Sequence, residues 1–392
     1  MVKARVKTGL EVLLASRPAW LGNRRLGLLC NPASVDTRLR HARSAIEERW
    51  PGRLTALYSP QHGFFAEKQD NMIESDDSRD PLLGVPVFSL YGRTRIPDAA
   101  MLDPIDILLV DLQDVGCRIY TFIWTLSHCL EAAAANGKTV AVLDRPNPIG
   151  GIRVEGNLLD PDWTSFVGRH PIPMRHGLTI GELARLLRTE RKIDCDLKVV
   201  PMRGWHRSMS FADTGLPWVA PSPNMPTPAT ALVYPGQVIW EGTNVSEGRG
   251  TTQPFELFGA PYIDPRAVLD ALEGPLPGVV LRPCAFEPTA QKWQGRLCRG
   301  FQLHVTRPDR FRACETSLRL LQAVIRTAGE DFAWKAPPYE YDFQRRPIDL
   351  ILGDGELVQR LASTADIGGL AARWRTDCRR FKRRARRWLL YD

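Results

Sequence analysis

The 392-residue chain has no GxGxxG turn, no Walker A lysine loop and no GxSxG nucleophile elbow. Nicotinamide, flavin, nucleotide-triphosphate and serine-esterase chemistry therefore lose their usual sequence support. It also lacks an HExxH pair, and its eight cysteines form no CxxC pair and no zinc-ligand spacing. Long apolar runs are missing too: none approaches the ~18–20 residues that cross a bilayer. Near the N-terminus Glu11 and Arg17 interrupt the only apolar stretch and no small-residue cleavage site follows, so no secretory signal is expected. Cys30, Cys117 and Cys129 sit in apolar surroundings where a reduced thiol packs as a small hydrophobe, which predicts a cytoplasmic protein. Charge of one sign is scarce outside the tail. The net charge is +8, but residues 379–387 contribute seven positive charges and leave about +1 for the rest. A solvated basic helix is expected there, and with no RNA-binding signature nucleic acid is not an expected partner. Oligomeric state is left open.

What is present is an alternation of short β-branched runs and helical patterns. Strands are expected at Arg25–Cys30, Leu54–Tyr58, Val85–Leu90, Ile105–Val110 and Thr139–Leu143. Helices are expected over Leu39–Trp50 and Tyr120–Asn136, the second stopped by Gly137. Continuous apolar strands read as buried on both faces, which predicts an α/β fold with a Rossmann-like, doubly wound sheet over residues 1–190. From 191 to 392 the texture changes to Pro- and Gly-rich loops followed by mixed elements, read as a smaller α+β domain ending in the basic tail 379–387.

Polar groups cluster where these strands end, and ligands of open α/β sheets bind outside the carboxyl ends of the strands. One strand runs into Asp111-Leu112-Gln113-Asp114, another into Asp144-Arg145-Pro146-Asn147-Pro148. The second strand ends in Gln61-His62-Gly63, followed by Asp70, Asn71 and Glu74. In Arg175-His176-Gly177-Leu178-Thr179-Ile180-Gly181-Glu182 the Thr179/Glu182 spacing is that of a capping box, so Glu182 reads as a cap and His176 as a candidate ligand group. Asn224 and the loop Glu241-Gly242-Thr243-Asn244-Val245-Ser246-Glu247-Gly248-Arg249 combine acids, amides and a guanidinium suited to hydroxyl- or carboxylate-bearing ligands. Trp205, Trp218, Trp240 and Tyr262 are either core or apolar faces for a sugar ring.

Taken together, these segments resemble the exo-lytic β-N-acetylmuramidases, glycoside hydrolase family 171, long catalogued only as a domain of unknown function. The resemblance is strongest over Asp111–Gly116, Arg118-Ile119-Tyr120-Thr121, Leu143–Pro148, Phe166–Pro173 and Arg175–Gly177, and weakens beyond about residue 300. It implies a Rossmann-like domain facing a smaller C-terminal domain across a cleft, and release of terminal N-acetylmuramic acid from peptidoglycan fragments. Many members have Glu-His-Gly where this chain has Gln61-His62-Gly63, and an amide cannot donate or accept a proton as a carboxyl does. Without a secretory signal, the implied role is cell-wall recycling of imported or internal muropeptide sugars.

A glycosidase needs one protonated acid and one carboxylate across the scissile bond. Glu241 is the expected acid, with Asp114 or Glu74 as the second carboxylate. Substrate binding is expected from Gln61, His62, Asp70, Tyr120, Asp144, Arg145, Asn147, His176, Asn224, Asn244 and Arg249, with Arg249 or Arg145 recognising the lactyl carboxylate. No cofactor and no metal is expected. Two other readings accompany this one: a non-catalytic binder of muramyl sugars, motivated by Gln61, and a metal-dependent hydrolase using His62, Asp70, Asp114, Asp144 and His176.

Overall fold

A computed structural model of the chain describes residues 5–16, 18–362 and 366–392, so Arg17 lies outside the described residues. Twelve strands are described: β1 Leu26–Cys30, β2 Leu54–Ser59, β3 Ser78–Arg79, β4 Pro86–Ser89, β5 Ile107–Asp111, β6 Thr139–Leu143, β7 Glu155–Leu158, β8 Pro173–Arg175, β9 Asp196–Val200, β10 Leu257–Ala260, β11 Val279–Phe286 and β12 Cys298–Val305. The central sheet has the order β3-β4-β2-β1-β5-β6-β9, parallel except for β3 at its edge. Strand order reverses between β1 and β5, as in a doubly wound sheet.

Alternation along the strands explains the two covered faces. In β5, Leu108 and Val110 pack with Ile123, Leu126 and Leu130 of the helix Phe122–Ala135, while Ile107 and Leu109 pack with Leu10, Leu13 and Ile46 on the other face. Each such buried Leu, Ile or Val contributes about 1.5–3 kcal/mol. The helix Phe122–Ala135 ends before Gly137, whose φ of 62° lies in the left-handed region that stops a helix. The helix Ile180–Glu190 opens on the anticipated capping box, Thr179 accepting from the Glu182 amide and Glu182 from the Thr179 amide.

The second domain builds on the antiparallel sheet β10-β12-β11, with the helices Pro228–Gln237 and Ala313–Ala328 packed against each other and against it. Trp240 stacks on Phe258 in this core, centroids 4.6 Å apart. The expected boundary at residue 190 falls inside the first layer of structure, because β9 pairs in parallel with β6 beyond it. The tail also returns to the first domain. The helix Ile367–Ala385 lies against β7, burying Trp374, Cys378 and Phe381. Beyond it, the Arg185 guanidinium donates to the Trp388 carbonyl (2.9 Å) and the Tyr391 hydroxyl to Asp144 (2.6 Å). The basic stretch is therefore one face of a docked helix rather than a free tail. Among the described residues no helix is long and apolar enough to cross a membrane.

Candidate active site

Five segments converge between the domains: the loop after β2, the turn before the helix Phe122–Ala135, residues 222–225, the stretch 241–255 and the strap 339–340. Together they line a cavity of about 30 Å³ whose walls include Gln61, His62, Tyr120, Asn224, Glu241, Arg249, Tyr339 and Glu340. A second chamber of about 260 Å³, lined also by Asp70, Lys292 and Lys335, shares the walls Asn71, Glu241, Arg249 and Tyr339. The inner cavity has room for about one water molecule, while the outer one approaches small-ligand size.

Glu241 is held from three sides. Arg249 Nη2 donates to its Oε1 at 2.7 Å, and Tyr339 Oη and Asn71 Nδ2 donate to its Oε2 at 2.6 and 3.2 Å. Burial works against the Arg249 charge, but Glu241 and Glu247 beside it outweigh that and raise its pKa. Glu247 is likewise opposed by burial, yet Lys292 and Arg249 hold its carboxyl below the usual range. Although this guanidinium sits between two acids, its Nη1 is buried without a hydrogen-bond partner. A donor left open in a cavity wall is where a ligand oxygen belongs.

Glu340 stands opposite in character. It is 5% exposed, and among the described residues no guanidinium bonds to it; Gln61 Nε2 donates to Oε1 at 2.9 Å and Tyr91 Oη to Oε2 at 2.6 Å. Burial pushes its pKa up to about 7, against the pull of those two bonds and with the Glu241 charge adding to the rise. One cavity thus holds a carboxylate paired with Arg249 and a carboxyl whose pKa burial brings up to about 7. Environments that separate two acids in this way equip a site to give and to accept a proton.

His62 sits at φ 78° at the end of β2's exit turn, and its Nδ1 is 2.8 Å from the Lys68 carbonyl. Because a carbonyl only accepts, Nδ1 carries the hydrogen and Nε2 is left as an acceptor. Burial lowers its pKa to about 4, so the ring is neutral at pH 7. Tyr120, packed edge-on against Phe122 and Tyr234, supplies an apolar wall. Asn224 donates to the Gln69 carbonyl at 3.0 Å, and Asp70 accepts from Gln291 at the outer chamber.

The remaining anticipated residues lie elsewhere. Asp111 and Arg145 form a buried two-pronged ion pair, 2.5 and 2.9 Å, and Arg145 also donates to the Val35 carbonyl. Arg145 is consumed inside the sheet crevice and does not reach the cavity. Asp144 accepts from the Gly181 amide at the start of a helix, from Thr179 and from Tyr391; burial raises it to about 7, but its neighbours are scaffold. Asn147 bridges the Leu178 carbonyl and the Ile149 amide and fills the space beside Gly116, where a Cβ would meet it at 2.5 Å. Asp114 accepts from the Gly116 amide at 2.7 Å with His176 Nε2 3.5 Å away, behind the cavity wall. Glu74 is half-exposed at the rim, accepting from Tyr341. Asn244 is used by the Asp331 carbonyl, Tyr262 and the Ala333 amide. Trp205, Trp218, Trp240 and Tyr262 do not line the cavity; they pack in the two domain interiors. Among the described residues no three His, Cys, Asp or Glu side chains stand together as a metal-binding group. Asn71 belongs to the polar loop noted after the second strand, whereas Tyr91, Thr121, Tyr339 and Glu340 were not anticipated as site residues from the sequence.

Two family models cover the chain, described as "Exo-beta-N-acetylmuramidase NamZ, N-terminal" over residues 26–229 and "C-terminal" over residues 232–391. The peptidoglycan β-N-acetylmuramidase NamZ of Bacillus subtilis is 42% identical over 390 residues, which is 99% of this chain and 92% of that protein. A crystal structure of a DUF1343 family protein from Bacteroides fragilis superposes with a TM-score of 0.88 at 35% identity, covering 99% of both chains. A second DUF1343 family protein of the same organism gives 0.77 at 29% identity, again over 99% of both.

Proposed function

The chain belongs to the exo-β-N-acetylmuramidase family, and from that membership we propose that its interdomain cavity cleaves terminal N-acetylmuramic acid from peptidoglycan fragments. The protein is a glycoside hydrolase of peptidoglycan-derived muramic sugars. Support for placing the reaction in this cavity comes from one arrangement above all: Glu241 ion-paired to Arg249, whose Nη1 has no partner. The lactyl carboxylate is the group that distinguishes muramic acid from glucosamine. A guanidinium with an open prong can bind it with a charge-assisted hydrogen bond. Glu241 is then the carboxylate that faces the positive charge developing at C1, and the neutral His62 Nε2 is an acceptor for a sugar hydroxyl. Asp70 and Lys335 belong to the outer chamber, where the rest of the ligand extends. A cytoplasmic site of action is part of this reading. It is supported by eight cysteines without a disulfide, seven of them buried, and recovery of the native protein outside the cytoplasm would remove it.

The test is discrimination rather than rate. Arg249→Lys keeps the charge and loses the fork. The ratio of kcat/KM for an aryl β-N-acetylmuraminide over the matching β-N-acetylglucosaminide is expected to fall roughly 10- to 100-fold, the worth of a charged hydrogen bond of about 1.5–3 kcal/mol. Equal losses on both substrates would take lactyl recognition away from Arg249.

A further inference from the structure

Glu340 lies in none of the polar strand-end clusters, and it enters the cavity on a strap from the second domain. The strap bends there through two consecutive non-glycine residues at positive φ, Glu340 at 47° and Tyr341 at 69°. Such backbone costs of order 1–3 kcal/mol per residue and persists where surrounding contacts over-determine it. Those contacts are specific. The Glu340 amide points at Met72 Sδ (3.1 Å), the carboxyl meets Gln61 and Tyr91, and Tyr341 stacks edge-on against Tyr91 with Arg95 over its ring.

The hydrogen-bond directions around this carboxyl are fixed by chemistry. Gln61 Oε1 accepts from Thr121 Oγ1 at 2.6 Å, so the amide turns its NH₂ toward Glu340. Tyr91 Oη accepts from Gln61 and from the Met72 amide, both at 3.2 Å, so its own hydrogen goes to Glu340 Oε2. Each carboxyl oxygen therefore takes one bond from the wall behind it. A proton on Glu340 has to occupy a remaining lone pair. The charged and titratable groups facing it are Tyr91 and Arg95 from the first domain, Glu241 and Tyr339 from the second, and neutral His62 across the cavity.

We propose that Glu340 is the catalytic residue that protonates the leaving sugar, with Gln61 and Tyr91 as the positioning residues that aim its carboxyl. This rests on the glycosidase reading above. As the C1–O bond breaks, its electron pair stays on the leaving oxygen, which takes the Glu340 proton. One water adds to C1, and the proton it releases passes through the carboxylate pair to restore the Glu340 carboxyl. Gln61 is then in place as a donor: a second carboxylate at that position would compete with Glu340 for the same proton. The 279-residue separation of this pair means that the proton donor and its support come from different domains.

Leaving-group dependence tests it. Two substrates are compared: a β-1,4-linked N-acetylmuramyl–N-acetylglucosamine disaccharide, whose leaving oxygen needs a proton, and a dinitrophenyl β-N-acetylmuraminide, whose leaving group does not. Glu340→Gln is expected to lower kcat on the disaccharide by about 10²- to 10⁴-fold and on the dinitrophenyl substrate by less than about 10-fold. Equal losses on both, or an unaffected disaccharide rate, would overturn the assignment. Should the variant not fold, the unsubstituted protein decides. Its disaccharide kcat/KM is expected to fall as pH rises through about 7, where Glu340 loses its proton, with no such fall for the dinitrophenyl substrate; identical profiles would overturn the assignment. Inactivity of the unsubstituted protein on both substrates would instead overturn the glycosidase reading itself.

Discussion

Glu241→Gln is expected to lower kcat on muramyl substrates by about 10²- to 10⁴-fold, the range for removing a positioned carboxylate from a glycosidase site. Glutamine keeps the shape, and its carbonyl oxygen can still accept from Tyr339 and Asn71, while its NH₂ replaces the oxygen that accepts from Arg249. What goes is the negative charge. Of its two charged partners Arg249 would retain only Glu247, 3.2 Å from its Nε, so the cavity wall would be more positive where C1 becomes positive in the transition state. A loss in kcat with a modest change in KM is the signature of an interaction made mainly in the transition state. Activity within about 10-fold of the unsubstituted protein would remove Glu241 from the chemistry. The sequence pointed to Glu241 as the acid. In the structure its Oε1 is ion-paired to Arg249, which places Glu241 where it can face the positive charge developing at C1.

Arg118→Met should be strongly destabilising. Arg118 is fully buried, and its guanidinium donates to four carbonyls, Asn157 at 2.9 Å, Ile172 at 3.1 Å, Ile351 at 3.2 Å and Leu352 at 2.8 Å. The last two are buried carbonyls at the C-terminal end of the helix Pro347–Leu352, which leads out of the strap carrying Tyr339 and Glu340. Burial lowers the Arg118 pKa to about 10, so it remains charged at neutral pH. Methionine fills similar volume but takes the donor from the Asn157 and Ile351 carbonyls, while Leu352 keeps Asn157 Nδ2 and Ile172 keeps the Leu159 amide, at an expected cost of about 3–5 kcal/mol. Urea denaturation at pH 7 measures it, with a clear fall in midpoint expected. A change below about 1 kcal/mol would show that water or local rearrangement replaces the donor.

The strands of the central sheet were legible because apolar, β-branched runs bounded by polar turns have few alternatives. β9 was missed as part of that sheet: Asp196-Leu197-Lys198-Val199-Val200 is a half-exposed edge whose pattern does not distinguish it from a strand of the next domain. Within the site, the His62 strand end and the Gly-flexed loop carrying Glu241 and Arg249 were legible from the density of polar groups. That same signal pointed to Asp144, Arg145 and Asn147, where the polar groups hold the sheet crevice and a helix start together. A strand end that binds a ligand and one that ties down a loop need the same residue types. Only three-dimensional placement separates them. Glu340 gave no motif at all, since its meaning depends on Gln61 and Tyr91, far away in the chain. The departure at Gln61 was visible, but not the carboxyl that it touches.

Incubation of the purified protein with β-1,4-linked N-acetylmuramyl–N-acetylglucosamine, in the presence of a metal chelator, reads the reaction itself. Separation of the products by mass is expected to show free N-acetylmuramic acid and free N-acetylglucosamine in equal amounts, with at least about 10²-fold slower release by the Glu241→Gln protein. Intact disaccharide after prolonged incubation with the unsubstituted protein, or release that disappears on chelation, would contradict a carboxylate-driven muramidase in this cavity.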